Sequence, residues 1–163
     1  MATMRLLRSI RAQAALAAAV LLAGCGASSN VQAQAGETVQ TALFAFSVSD
    51  PQTLDGYDGV EIPQGQKLVQ VTLTVENTGE AALPMFAEDF QIQWGDGDTD
   101  FGACLAAVDD TMVPYSYEVA PGESYTGAML VTVPQECGEL TVAYQDVTES
   151  GDRAAAYFVE VPL

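Results

Sequence analysis

Residues 68–79, LVQVTLTVENTG, contain the clearest secondary-structure signal in this sequence. The apolar side chains at 69, 71, 73 and 75 alternate with polar ones at 70, 72 and 74. A period of two predicts a β-strand with one buried face. Asn77-Thr78-Gly79 then ends the strand with turn-forming residues. Related β-rich runs occur at 44–48, 90–94, 115–119, 125–133, 140–144 and 155–161.

Turn signals such as Pro63-Gln64-Gly65 and Pro121-Gly122 separate these runs. After residue 25 no segment has a strong helical stripe, and only a short helical turn fits near 85–89. We therefore expect one all-β domain at 37–163, an antiparallel β-sandwich of about eight or nine strands.

The first 25 residues predict export. Arg5, Arg8 and Arg11 precede the apolar run Ala14–Ala23, which is too short to span a bilayer. The run leads into Gly24-Cys25 and resembles the lipobox of bacterial lipoproteins, although an ordinary signal peptide with a chance cysteine is the alternative. The resemblance implies a signal peptide at 1–24 and a lipid on Cys25. Residues 25–36, CGASSNVQAQAG, are then the lipidated N-terminus and a flexible tether.

The charge balance excludes several function classes. The chain has 5 Lys and Arg, 22 Asp and Glu and no His, so its formal charge is −17. Without residues 1–24, Lys67 and Arg153 stand against all 22 acids, which gives −20. Nucleic acid would be repelled, and a Ser-His-Asp triad cannot be built without histidine. The acidic surface favours a basic partner.

Two cysteines remain if Cys25 carries lipid. Outside the cytosol such a pair is normally oxidised, so the sequence predicts a disulfide between Cys104 and Cys137. Closing that loop would stabilise the fold by about 3–4 kcal/mol. The alternative is two free thiols protected by the core.

Carboxylates at alternate positions suggest a metal site. Asp96, Asp98 and Asp100 could converge on calcium, which takes six to eight oxygen ligands. The alternative is a solvated hairpin loop. Asp50, Asp55, Asp58 and Glu61 could likewise complete a cation site or face a basic partner, or simply solvate their loop. No other cofactor is expected.

The aromatic residues allow two interpretations. Trp94, Tyr115, Tyr117 and Tyr125 could form a ligand-binding face, but their alternation favours burial in the core.

Several blocks of the sequence together resemble a known family. They are GETV at 36–39, LVQVTLTVENTGE at 68–80, VAPGES at 119–124 and GAMLV at 127–131. In order and spacing they resemble the bacterial lipoprotein domain of unknown function that is related to the mycobacterial immunoprotective antigen. The resemblance implies an extracytoplasmic, immunoglobulin-like β-sandwich and supplies no catalytic residues.

The sequence as a whole predicts a lipid-anchored module on the outer face of the cell membrane. We expect a non-catalytic binding function, with an extracytoplasmic protein or envelope polymer as partner. The alternative is a calcium-dependent binding module that uses the Asp96–Asp100 loop.

Overall fold

The computed structural model describes residues 29–163, so the predicted signal peptide and Cys25 lie outside the described residues. Within this range no helix is both long and apolar enough to cross a bilayer. In chain order the strands are β1 (Ser29–Gln34), β2 (Val39–Gln40), β3 (Phe44–Leu54), β4 (Gln66–Asn77), β5 (Leu83–Phe86), β6 (Phe90–Gln93), β7 (Phe101–Gly102), β8 (Ser116–Val119), β9 (Ser124–Pro134), β10 (Glu139–Val147) and β11 (Arg153–Pro162).

The strands form the predicted β-sandwich. One sheet has the order β1-β11-β10-β6-β7, the second has the order β2-β3-β4-β9, and β5 pairs with β8 in a small third sheet. A 3-10 turn, Ala87–Asp89, lies where the short helical turn was expected. The described residues hold eleven strands rather than eight or nine, because β2 and β7 have only two residues each and produce no readable alternation.

Half of the segment predicted as a tether, residues 29–34, is a strand. Ser29–Gln34 is strand β1, which runs parallel to β11 with Ser29 opposite Ala155 and Gln34 opposite Glu160. Ala33 is buried, and Val31 and Ala35 pack against the main core. Residues 31, 33 and 35 recur with the period of a β-strand, but two of the three are alanine, whose small side chain gives only a weak signal of a buried face.

The main core fills the space between the two large sheets. Its centre is a group of aromatic rings in which Phe46 contacts Phe90 with ring centroids 5.2 Å apart, and Phe44 contacts Tyr144 at 4.7 Å. The side chains that alternate inward from β4, at 69, 71, 73 and 75, all belong to this core, as the pattern predicted.

A second, smaller core lies on the outer face of the four-stranded sheet. Leu68, Met112 and Leu130 are buried there beneath parts of the connections at 54–62 and 105–112. The β3 register shifts between Ser49 and Gln52, where Asp50 adopts a left-handed conformation with φ 51°. Such a bulge bends a strand, and here it precedes the connection that covers Leu68.

The two ends of the sandwich differ. We call the end at which β1 begins the N-terminal end; it also holds the β10–β11 turn at 148–152 and the turn at 78–82. The opposite end, the loop end, holds the connections at 55–65, 94–100 and 135–138. Exposed carboxylates crowd the loop end, at Asp55, Asp58, Glu61, Asp96, Asp98 and Glu136.

Candidate binding groove at the loop end

An open groove lies where the outer face of the five-stranded sheet meets the loop end. Its volume is about 600 Å³. Four of its lining residues carry carboxylates and two are aromatic, so we call it the acidic groove. The carboxylates belong to Asp96, Glu136, Glu139 and Glu160, and the aromatic rings to Trp94 and Phe158.

Strand register explains how residues distant in sequence meet in this groove. Gln32 lies opposite Phe158 across the β1–β11 pair, and Thr141 lies opposite both Glu160 and Gln93. Because side chains alternate between faces, these residues share the outer face while Val159 and Leu140 enter the core. The Gln34 amide Nε2 donates to Glu160 Oε2 at 2.6 Å, which fixes one carboxylate at the groove wall.

Cys137 is a buried lining residue of the groove that makes several hydrogen bonds. Its Sγ donates to the carbonyl of Glu139 at 3.1 Å, and the Trp94 carbonyl lies 3.7 Å away. Lys67 Nζ donates to the Cys137 carbonyl at 2.6 Å from a half-buried position. No Lys or Arg is among the described residues that line the groove, and Lys67 approaches it only through the Cys137 carbonyl.

The predicted metal site is not assembled. Among residues 29–163 no group of three or more His, Cys, Asp or Glu side chains could hold a metal ion. Asp100 turns back on its own loop, where the Gly97 N–H donates to Asp100 Oδ2 at 2.9 Å. A Cβ at Gly95 would lie 2.5 Å from the same oxygen, so a side chain there would displace the Asp100 carboxylate. Asp96 and Asp98 are exposed, which fits the solvated-loop alternative.

This geometry gives a clear expectation for calcium. The full chain in millimolar CaCl₂ should unfold at the same temperature as in NaCl of equal ionic strength, within about 2 °C. Thermal unfolding monitored by circular dichroism would check this. A rise of about 5 °C or more that disappears in Asp98→Ala would contradict the structure and restore the calcium hypothesis.

The predicted disulfide is also absent, because Cys104 and Cys137 are both free. Cys104 precedes Leu105, whose N–H donates to the Leu130 carbonyl in the middle of β9. Cys137 follows Pro134, the last residue of β9, which lies four residues or about 13 Å along the strand from Leu130. A disulfide needs Cα atoms within about 7 Å. Cys137 is buried, and burial raises the pKa of the Cys104 thiol, so the alternative of two protected thiols fits.

The β3–β4 connection, which contains Asp55, Asp58 and Glu61, is held to Asp109 by a hydrogen bond from Tyr57. The Tyr57 hydroxyl donates to Asp109 Oδ2 at 2.7 Å, and the Thr111 hydroxyl donates to Asp109 Oδ1 at 2.7 Å. These hydrogen bonds, with that from Tyr57 first, lower the pKa of Asp109. Asp55 and Asp58 line the adjoining open concavity of about 700 Å³. Asp50 lies in the β3 bulge and Glu61 is exposed.

The aromatic residues divide as the alternation favoured, with one exception. Trp94, Tyr117 and Tyr125 pack against the main core, and Trp94 also lines the acidic groove. Tyr115 is 68% exposed. The sequence did not identify Phe158 as a groove residue. Three consecutive residues before it, Ala155, Ala156 and Tyr157, are all buried, so β11 has no simple alternation that would show which of its residues face outward.

Comparison with known proteins identifies the family. The profile of a domain of unknown function, DUF4352, matches residues 33–155. The chain belongs to the DUF4352 family. No curated protein matches it. The link to the immunoprotective antigen family and the signal peptide remain predictions.

Solved structures support the fold. The yjhA protein of Bacillus subtilis is 17% identical with a TM-score of 0.57, over 79% of this chain and 98% of that one. A candidate lipoprotein of the same species, ycdA, is 16% identical with a TM-score of 0.61, over 77% of this chain and 38% of that one. An uncharacterized β-sandwich protein of Clostridium difficile is 11% identical with a TM-score of 0.50, over 84% and 97%. At such identities the likeness shows the fold alone.

Proposed function

We propose that this DUF4352 protein is an extracytoplasmic lipoprotein whose β-sandwich is a non-catalytic binding module. The lipobox-like sequence before Cys25 supports the anchor, and the candidate lipoprotein ycdA, which shares the fold, is consistent with it. The groove carboxylates are open to solvent and the chain has no histidine, which favours recognition over acid–base chemistry.

The acidic groove is the observation that carries the proposal. Four carboxylates line the groove and outnumber Lys67, whose ammonium contacts the carbonyl of the lining residue Cys137, so they attract further ammonium and guanidinium groups, to which the rings of Trp94 and Phe158 can add cation–π interactions. We therefore assign the groove to a lysine- or arginine-rich segment of an extracytoplasmic protein. A formal charge of −20 after removal of residues 1–24 would steer such a partner toward the domain.

The proposed lipid attachment is tested by replacing Cys25, whose sulfur atom would carry the lipid. Cys25→Ser expressed in a bacterial host should leave the membrane fraction and appear in the soluble extracytoplasmic fraction, because no acyl chain can then be attached. Retention of Cys25→Ser in the membrane at the level of the unaltered chain would contradict the anchor.

The groove is tested with a labelled decalysine peptide and the full chain in zwitterionic detergent. Neutralising three carboxylates, Glu136→Gln, Glu139→Gln and Glu160→Gln, should weaken binding about tenfold, which corresponds to about 0.5 kcal/mol for each lost charge contact. Fluorescence anisotropy at two salt concentrations measures this.

A matched triple variant separates the groove from the overall charge. Glu80→Gln, Glu118→Gln and Glu123→Gln change three exposed residues outside the groove and alter the net charge equally. We expect less than about a twofold loss from them. Equal losses from the two triple variants would reject the groove. Binding of a neutral chitin hexasaccharide but not of decalysine would favour an envelope polymer instead.

A further inference from the structure

Two of the most exposed aliphatic side chains lie at the N-terminal end. Leu43 is 58% exposed and Val147 is 59% exposed. The Ala42 N–H donates to Asp146 Oδ2 at 3.3 Å, so the residues before Leu43 and Val147 are in direct contact. We call Leu43 and Val147 the apolar pair. Neither side chain belongs to either hydrophobic core.

The described chain begins beside this pair. Ser29 lies opposite Ala155 on β11, and two residues earlier on the same strand Arg153 lies opposite Val147. Four residue steps separate Cys25 from Ser29, and a fully extended chain covers at most about 14 Å in that number of steps. A lipid on Cys25 would therefore hold the N-terminal end, and not the loop end, against the bilayer.

The N-terminal end carries one cation and several exposed carboxylates. Arg153, one of only two cations after residue 24, lies at the N-terminal end, where its guanidinium donates to Asn30 Oδ1. Asp146 is buried and accepts a hydrogen bond from the Tyr157 hydroxyl at 2.8 Å, so it does not present a free charge beside the pair. Glu149 and Asp152 are exposed in the adjacent turn, and Glu80 is exposed in the turn beside Leu43, so the contact requires zwitterionic rather than anionic lipid.

We propose that Leu43 and Val147 contact the bilayer and rest the N-terminal end of the sandwich on the membrane surface. Apolar side chains held at a bilayer interface leave water for the boundary of the acyl region. The inference rests on the proposed lipid anchor at Cys25. It goes beyond that anchor, because it fixes the orientation of the domain and points the acidic groove away from the membrane.

Depth-dependent fluorescence quenching tests the contact. The lipidated full chain is reconstituted into phosphatidylcholine vesicles in which part of the lipid is brominated near the headgroup end of its acyl chains. Trp94 is the single tryptophan, so the Trp94→Phe background allows one new reporter at a time. Leu43→Trp in that background should lose about half of its emission with brominated lipid, because its ring reaches the interface.

A matched reporter at the loop end is the control. Val108 is 46% exposed and lies 3.4 Å from the Cβ position of Gly59 in the β3–β4 connection. Val108→Trp in the same background, and Trp94 in the unaltered protein, should keep their emission. Equal quenching of Leu43→Trp and Val108→Trp would overturn the proposed orientation.

Flotation with the vesicles separates this inference from the anchor. If the protein floats but Leu43→Trp is not quenched, the contact is overturned while the Cys25 lipid stands. If the protein does not float, both fail. Amide exchange of the unaltered protein gives a readout that does not depend on the Trp94→Phe background. Vesicles, compared with detergent-free buffer, should slow exchange at 42–43 and 147–149 but not at 55–61, and unchanged exchange at 42–43 and 147–149 overturns the contact.

Discussion

Asn77→Ala is expected to lower the free energy of unfolding by about 3 kcal/mol. Asn77 is only 1% exposed, and its amide Nδ2 donates to the carbonyls of Ala81 and Val119, both at 2.8 Å. Its Oδ1 accepts from the Gly79 N–H at 2.9 Å. Alanine would leave the carbonyl of the buried Val119 without this partner, at a cost of about 1–3 kcal/mol, and would remove hydrogen bonds from Ala81 and Gly79, where water can replace part of the loss.

Urea unfolding followed by tryptophan fluorescence measures this effect, and the melting temperature should fall by about 10 °C. Asn77→Asp sharpens the test, because it keeps the acceptor for Gly79 but places a carboxylate opposite two carbonyls. We expect it to be at least as destabilising as alanine. Asn30→Ala, the same change at an exposed asparagine, should cost less than about 0.5 kcal/mol. Similar losses at Asn77 and Asn30 would contradict the role of the buried amide.

Local sequence chemistry predicted the turn at Asn77 but not its burial. Alternation in residues 68–75 specified the strand, its face and its end. The hydrogen bonds of Asn77 to Gly79 and Ala81 are local, but the one to Val119 depends on the β5–β8 sheet, whose pairing partners are 30 to 36 residues apart in sequence. Pairing between such distant segments leaves no periodic signal in either one.

The acidic groove was beyond sequence reasoning for a related reason. Glu136 and Glu139 flank a turn and Glu160 lies on the last strand, and only the order β1-β11-β10-β6 brings them beside Trp94. The sequence did show the excess of acids and favoured a basic partner. It could not show which acids share a surface.

The two predicted sites that the structure does not assemble share a cause. Spacing suggested convergence for the Asp96–Asp100 loop, and parity suggested a bond between Cys104 and Cys137. Neither the spacing of the carboxylates nor the even number of cysteines specifies the path that the backbone takes between them. Asp100 folds onto the Gly97 N–H, and the Leu105–Leu130 hydrogen bond places Cys104 far from the end of β9.

The largest pH effect is expected on the alkaline side. Burial raises the pKa of Tyr117, Tyr144 and Tyr157 above the ordinary value of 10.0, and the Asp146 carboxylate raises the pKa of Tyr144 and Tyr157 further. Their protonated forms are favoured in the folded state, so this stabilisation is complete below about pH 10 and is lost as the pH rises above it. Each tyrosine can lower the free energy of unfolding by at most about 1.4 kcal/mol per pH unit.

Solvent screening at the partly exposed rings reduces that limit, so we expect a combined loss of about 2 kcal/mol per pH unit above pH 10. Urea midpoints from pH 8 to pH 11.5, with phenolate absorbance recorded in parallel, measure it. Tyr117→Phe should make the slope shallower. It should also stabilise the protein by about 1 kcal/mol at pH 8, because the Tyr117 hydroxyl is buried without a hydrogen-bond partner.

Tyr115→Phe is the matched control, since Tyr115 is 68% exposed and lies outside both cores. It should change neither the slope nor the midpoint. Stability that does not fall above pH 10 would contradict the burial of these tyrosines. If Tyr117→Phe lowered stability at pH 8, the Tyr117 hydroxyl would have to be hydrogen-bonded in solution.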